Sequence, residues 1–247
     1  MKKQIFICAT ILAFTLLAAV STFAAARAPS NSGRDYVNGA RSLANWSIGI
    51  YAEKAEKDLV FKDADAPSTR TVKSSKVMAY VGYDALPWLT PYLALGTGNT
   101  EVQYEDSEDK HLDAALGLQL NLLDHEIADP FLLEDHFRLN GSVEYTRTSL
   151  SVGDENVDLG QWDAYLTAAI VNDIVGSSEF SPESIAVFFG PAYSTWVGSG
   201  IEGSRKSSDD FGFTVGMELF YSPSISMNLR ANLMEHRGIS AGLNVHF

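Results

Sequence analysis

Over residues 238–247 apolar and polar side chains take strict turns, with Ile239, Ala241, Leu243, Val245 and Phe247 against Ser240, Gly242, Asn244 and His246. A period of two marks a strand with one oily and one polar face. The same period recurs upstream. Trp46, Ile48, Ile50 and Ala52 alternate with Asn45, Ser47, Gly49 and Tyr51, and Val77, Ala79, Val81 and Tyr83 with Met78, Tyr80 and Gly82. Leu89, Pro91, Leu93 and Leu95 mark a third strand, and Leu112, Ala114, Leu116, Leu118, Leu120 and Leu122 a fourth, against Asp113, Ala115, Gly117, Gln119 and Asn121. The fifth sets Phe137, Leu139, Val143 and Tyr145 against Arg138, Asn140, Ser142, Glu144 and Thr146, and the sixth sets Trp162, Ala164, Leu166, Ala168 and Ile170 against Gln161, Asp163, Tyr165 and Thr167. A seventh, over 185–197, is the least regular because it passes through Phe189-Gly190-Pro191. The eighth carries Phe211, Phe213, Val215, Met217, Leu219 and Tyr221 on its oily face, and the ninth Ile225, Met227, Leu229, Ala231 and Leu233. With the closing segment this predicts ten strands.

The connections alternate as well. Those after the second and eighth strands are tight, Asp84-Ala85-Leu86-Pro87-Trp88 and Ser222-Pro223-Ser224, whereas those after the first, third, fifth and seventh are charged and mostly long. The first of these, residues 53–73, reads as one long loop. Long loops at one end and short turns at the other describe an up-and-down arrangement of even strand number with both termini at the turn end. The connections after strands four and six are longer than that scheme asks for, and eight strands with two misread segments is the alternative. Aromatic residues fall at the ends of the oily faces: Trp46, Trp88, Phe137, Tyr221 and Phe247 at the turn end, Tyr145, Trp162, Trp196 and Phe211 at the loop end. Amphipathic rings favour the depth of a membrane–water interface. A soluble sandwich would also alternate, but it would hide its oily face. Here the polar sets are rich in Gly, Ser and Asn, which suits a narrow, crowded lumen.

Lys2 and Lys3 precede an apolar run over residues 5–20, followed by Ala24, Ala25 and Ala26, the pattern of a secretory signal peptide cleaved after Ala26. The run is short for a bilayer helix, which needs about 20 apolar residues, and no later segment approaches that length, which excludes a helical membrane protein. The one cysteine, Cys8, lies inside the run, so the mature chain has no thiol chemistry. Cleavage takes away two of the 18 basic residues and none of the 31 acidic ones, leaving 16 against 31 and a net charge of −15. That balance argues against a nucleic-acid partner.

The closing strand, with its aromatic last residue, resembles the C-terminal signature of bacterial outer-membrane β-barrels. The hairpin around Asp84-Ala85-Leu86-Pro87-Trp88, running on to Gly96-Thr97-Gly98, resembles those of small opacity-type, porin-like barrels. The resemblance implies a transmembrane antiparallel barrel over 43–247, preceded by a periplasmic leader over 27–42 and the signal peptide over 1–26. It implies residence in the outer membrane among phospholipid and lipopolysaccharide, with Phe247 as the residue read by the barrel-assembly machinery. Family members serve structural, surface-interaction or pore roles, so the fold leaves a small-solute channel as the alternative.

Candidate chemistry lies first in the inward-facing charges Arg138, Glu144, Asp163, Glu218 and Arg230. Centring a hairpin on residues 153 and 154 sets Glu144 opposite Asp163, a like-charge pair that is costly without a cation. Arg230 or Arg138 is the expected cation. Such a network either plugs a small barrel or forms a constriction. The acidic stretch Glu105-Asp106-Ser107-Glu108-Asp109, with Glu101, offers oxygen ligands but lacks the glycine and spacing of a calcium loop, and so reads as a solvated loop. Arg147, oily-faced near the loop end, either meets lipopolysaccharide phosphates or snorkels. Some ten-stranded outer-membrane proteases use Asp and His at the rim, and Asp209, Asp210 and His236 fall in neighbouring loops, but no further match follows. His111, His125, His136 and His246 are dispersed without metal-ligand spacing. No catalytic, cofactor or metal residue is therefore expected, and the chain reads as a non-enzyme.

Overall fold

The computed structural model describes residues 46–61, 68–86, 88–102, 108–127, 135–152, 155–173, 182–198, 211–222, 224–234 and 237–247. These form ten strands: β1 (Trp46–Phe61), β2 (Ser68–Tyr83), β3 (Leu89–Val102), β4 (Glu108–Ile127), β5 (Asp135–Val152), β6 (Glu155–Asp173), β7 (Ser184–Gly198), β8 (Phe211–Ser222), β9 (Ile225–Leu233) and β10 (Arg237–His246). Each pairs antiparallel with its neighbours in sequence, and β1 closes on β10, giving an up-and-down barrel without an open edge along its shared height. The closure corrects the eight-stranded alternative. At the seam Trp46 and Phe247 exchange both backbone hydrogen bonds, at 3.2 and 3.0 Å.

The period of two decides which side chains face out. Ile50, Val77, Leu95, Leu116, Phe213 and Leu229 are exposed on the outer wall, while Ser47, Tyr80, Gln119, Thr146, Thr214 and Asn244 are buried inside. An oily exterior around a polar interior is the inverse of a soluble protein and suits a wall standing in lipid. The outward rings are placed at two levels along the strands. Trp46 packs on Tyr83 with ring centroids 4.9 Å apart, and Tyr145 on Trp162 at 4.9 Å. Trp196 departs from this pattern. It lies in register with Gln161 and shares the parity of buried Ser194. It therefore stands on the lumen face, because strand-paired residues point to the same side, and is no part of the girdle.

Two interruptions have local causes. Between Asn121 and Leu123 the β4–β5 register slips, and Leu122 and Leu123 both face outward, as a bulge requires. In β7 the pairing to β6 lapses between Ala192 and Phe189, where Pro191 lacks an N–H.

Strand length is uneven. About 9–11 residues span a bilayer; β8, β9 and β10 have 12, 9 and 10, whereas β1, β2, β4, β5 and β6 have 16, 16, 20, 18 and 19. At the end away from the termini, β1 loses β10 beyond Ala55 and β5 loses β4 beyond Thr148, so the β1–β2 and β5–β6 hairpins stand out as paired ribbons. The expected long loop over 53–73 is thereby corrected: β1 runs to Phe61 and β2 resumes at Ser68.

Candidate functional site: the packed lumen

Large inward side chains tie together strands that are not adjacent in the wall. On β1, β2 and β3 the rings of Tyr51, Tyr80 and Tyr92 follow one another at 6.4 Å between centroids. Tyr80 donates to Asn244 Oδ1 of β10 at 2.7 Å, and Asn244 donates on to Ser226 Oγ of β9 at 3.1 Å. Tyr92 donates to Glu144 Oε2 of β5 at 2.7 Å. The ring of Tyr92 lies flat on β4 because Gly117 has no side chain: a Cβ there would stand 2.1 Å from Tyr92 Cζ. Phe188 uses Gly216 in the same way, with 2.3 Å from a would-be Cβ to Phe188 Cζ.

Glu144 lies opposite Asp163 in register, as the hairpin count predicts, and both are buried. Hydrogen-bond donors, rather than a cation alone, satisfy the pair. Glu144 accepts from Tyr92 and, at 3.1 Å, from Thr146, while Asp163 accepts from Gln161 Nε2 at 3.0 Å. Arg138, expected as the neutralising cation, pairs instead with Asp124 at 2.7 Å. It sits six residues nearer the terminus-bearing end of β5, about 20 Å along the strand from Glu144. Arg230 stands over the rings of Tyr165 (5.4 Å) and Phe188 (5.0 Å), with Glu144 and Glu218 as the acidic groups in its field. A guanidinium held on two rings in a partly desolvated lumen gains cation–π attraction. It also locks β9 to β6 and β7.

Toward the loop end a second buried cluster ties β2, β3, β4 and β5. His111 Nε2 lies 2.8 Å from Thr100 Oγ1 and its Nδ1 3.2 Å from Asp113 Oδ2; Lys76 Nζ is 3.7 Å from Asp113 Oδ1, which also accepts from Thr148. A hydroxyl, an imidazole and a carboxylate in line are also the parts of a nucleophile relay. The His111 and Asp113 side chains are completely buried, however, so the cluster acts as a clamp. Sequence reasoning missed it because Lys76 adjoins the supposed loop and His111 looks isolated in the chain. The signal was there in parity: Ser74, Lys76, Met78 and Tyr80 share one face.

Arg147 points outward, where its Nη2 holds Asp158 at 2.7 Å, and Ser149 donates to the same carboxylate at 2.6 Å. The rim residues Asp209, Asp210 and His236, and Glu105, Asp106 and Ser107 of the acidic stretch, lie outside the described residues. Among the described residues no three His or acidic side chains converge as metal ligands.

No protein-family model and no curated protein matches the chain. Among solved structures it is similar to the transport unit of the autotransporter AIDA-I from Escherichia coli, at 12% identity over 85% of this chain and 92% of that one, with a TM-score of 0.41. Neisserial surface protein A is similar at 10% identity over 82% and 97%, TM-score 0.37. The outer membrane protease OmpT from Escherichia coli is similar at 10% identity over 84% and 99%, TM-score 0.38. None of these likenesses bears on activity.

Proposed function

We propose that this chain is an outer-membrane β-barrel protein whose lumen is closed by its own side chains, and whose role is structural or surface-interacting rather than diffusive. Export falls to residues 1–26 and insertion to recognition of Phe247, with both termini periplasmic. The observation that carries the reading is the set of ties between inward side chains of non-adjacent strands: Tyr80 to Asn244, Tyr92 to Glu144, and Arg230 over Tyr165 and Phe188, with Tyr92 of β3 and Glu144 of β5 in the field of Arg230 on β9. A solute path would have to break several of these at once, each worth more in a low-dielectric interior than in water. No catalytic step is assigned.

Conductance of the refolded protein in a planar bilayer tests this. The wild type is expected to stay near the baseline. Arg230→Ala removes the central cation and leaves Glu144, Asp163 and Glu218, so a cation-selective leak is expected. A large, steady wild-type conductance would replace this reading with a small-solute channel.

A further inference from the structure

We propose that the outward face of β1–β4, at the rim away from the termini, binds a phosphorylated, multiply acylated glycolipid of the outer leaflet. The orientation rests on the reading given under Proposed function. The register aligns Lys54 with Ser75, Ser75 with Asn99, and Asn99 with Lys110, one residue from each of four adjacent strands. All four share the outward parity, Lys54 and Lys110 are exposed, and no carboxylate interrupts the row. Three interstrand spacings put the two ammonium-bearing residues about 14 Å apart at the backbone. Ser75 and Asn99 between them add neutral hydrogen-bonding groups.

Directly beneath, on the membrane side, the row changes to Ala52, Val77, Thr97 and Leu112, and then to Ile50, Ala79, Leu95 and Ala114. Ala52, Ala79 and Ala114 stand among larger side chains in these two rows, which are apolar but for Thr97. Leu112 and Leu95, 75% and 69% exposed, are the barest large hydrophobics among the described residues. A cationic row above an exposed apolar wall matches a ligand with two anionic groups on its head and several chains below. Basic residues at headgroup depth attract anionic lipid. Two other basic residues near this rim differ: Arg147 is already held by Asp158, and Lys73, in the row above, lies in register with both Glu56 and Glu101.

The test uses the full mature protein folded in detergent and titrated, under native mass spectrometry, with bis-phosphorylated lipid A, its dephosphorylated form and phosphatidylglycerol. The wild type is expected to retain one lipid A. The double variant Lys54→Gln/Lys110→Gln should bind about tenfold or more weakly, while Arg147→Gln leaves retention unchanged. Loss of the phosphates should cost the wild type as much as loss of the lysines. Heat-dependent gel mobility establishes that each variant is folded; should the double variant not fold, Lys110→Gln alone takes its place with a smaller loss expected. Equal retention by wild type and lysine variants overturns the proposal. So does displacement of lipid A by millimolar inorganic phosphate, which would reduce the site to a simple anion site, or equally tight binding of phosphatidylglycerol. Cell fractionation separately tests the outer-membrane reading, so the two fail independently.

Discussion

Tyr92 shows how a single side chain is held and what it holds. Its ring needs Gly117 to lie down and its hydroxyl satisfies a buried carboxylate. Tyr92→Phe leaves Glu144 a donor short, and a buried charge that loses a hydrogen bond costs about 1.5–3 kcal/mol. A lower urea midpoint with an unchanged slope is expected; an unchanged midpoint would mean that water reaches Glu144. In the β2–β3 turn, burial holds the Asp84 carboxyl above the ordinary carboxylate range, opposed by a hydrogen bond from Thr90 at 2.6 Å. A raised folded-state value means that Asp84 favours the fold while protonated and loses that contribution as pH rises from the ordinary value to the raised one. Thr90→Val removes the opposing bond and shifts Asp84 further up. The variant should therefore lose more stability near pH 7 than near pH 3, read from paired denaturation curves. Facing was legible from parity alone, and the Glu144–Asp163 pairing from a hairpin centre. The partner of Arg138 was not, because Asp124 lies beyond a bulge that shifts the register, and neither was the side of Trp196, which an aromatic preference for interfaces had overridden.

At the level of the strand, period two was readable only where lipid bathes one face. Beyond the membrane both faces of a ribbon meet water, the oily side disappears, and charged strand looks like loop. That is why β1 was expected to end before Glu53 and in fact continues to Phe61. The closing seam carries its own prediction. Phe247 donates one backbone hydrogen bond to Trp46, accepts another from it, and carries an exposed ring. These are terminal bonds, so deleting Phe247 should change the unfolding midpoint of refolded protein little. It should, however, cause unfolded protein to accumulate in the periplasm, measured by fractionation. Normal insertion of the truncated chain would remove Phe247 as an assembly signal.

For the whole molecule, the even strand count, which brings Trp46 and Phe247 to one end, orients everything else. Single cysteines at Asp154 and Ser222, placed in a chain that has no cysteine after Cys8, should differ sharply: an impermeant maleimide applied to intact cells labels the first and spares the second. Labelling at Ser222 would invert the barrel. The uneven strand lengths have one more consequence. Beyond Ala55, β1 keeps β2 on one side but has no β10 on the other, so alternate backbone amides over residues 56–61 face water while those between them stay bonded. Deuterium uptake resolved to single amides should therefore follow a fast–slow rhythm along that ribbon. It should give way to uniform protection where both neighbours close in, marking on the chain itself the height at which the barrel becomes a complete ring.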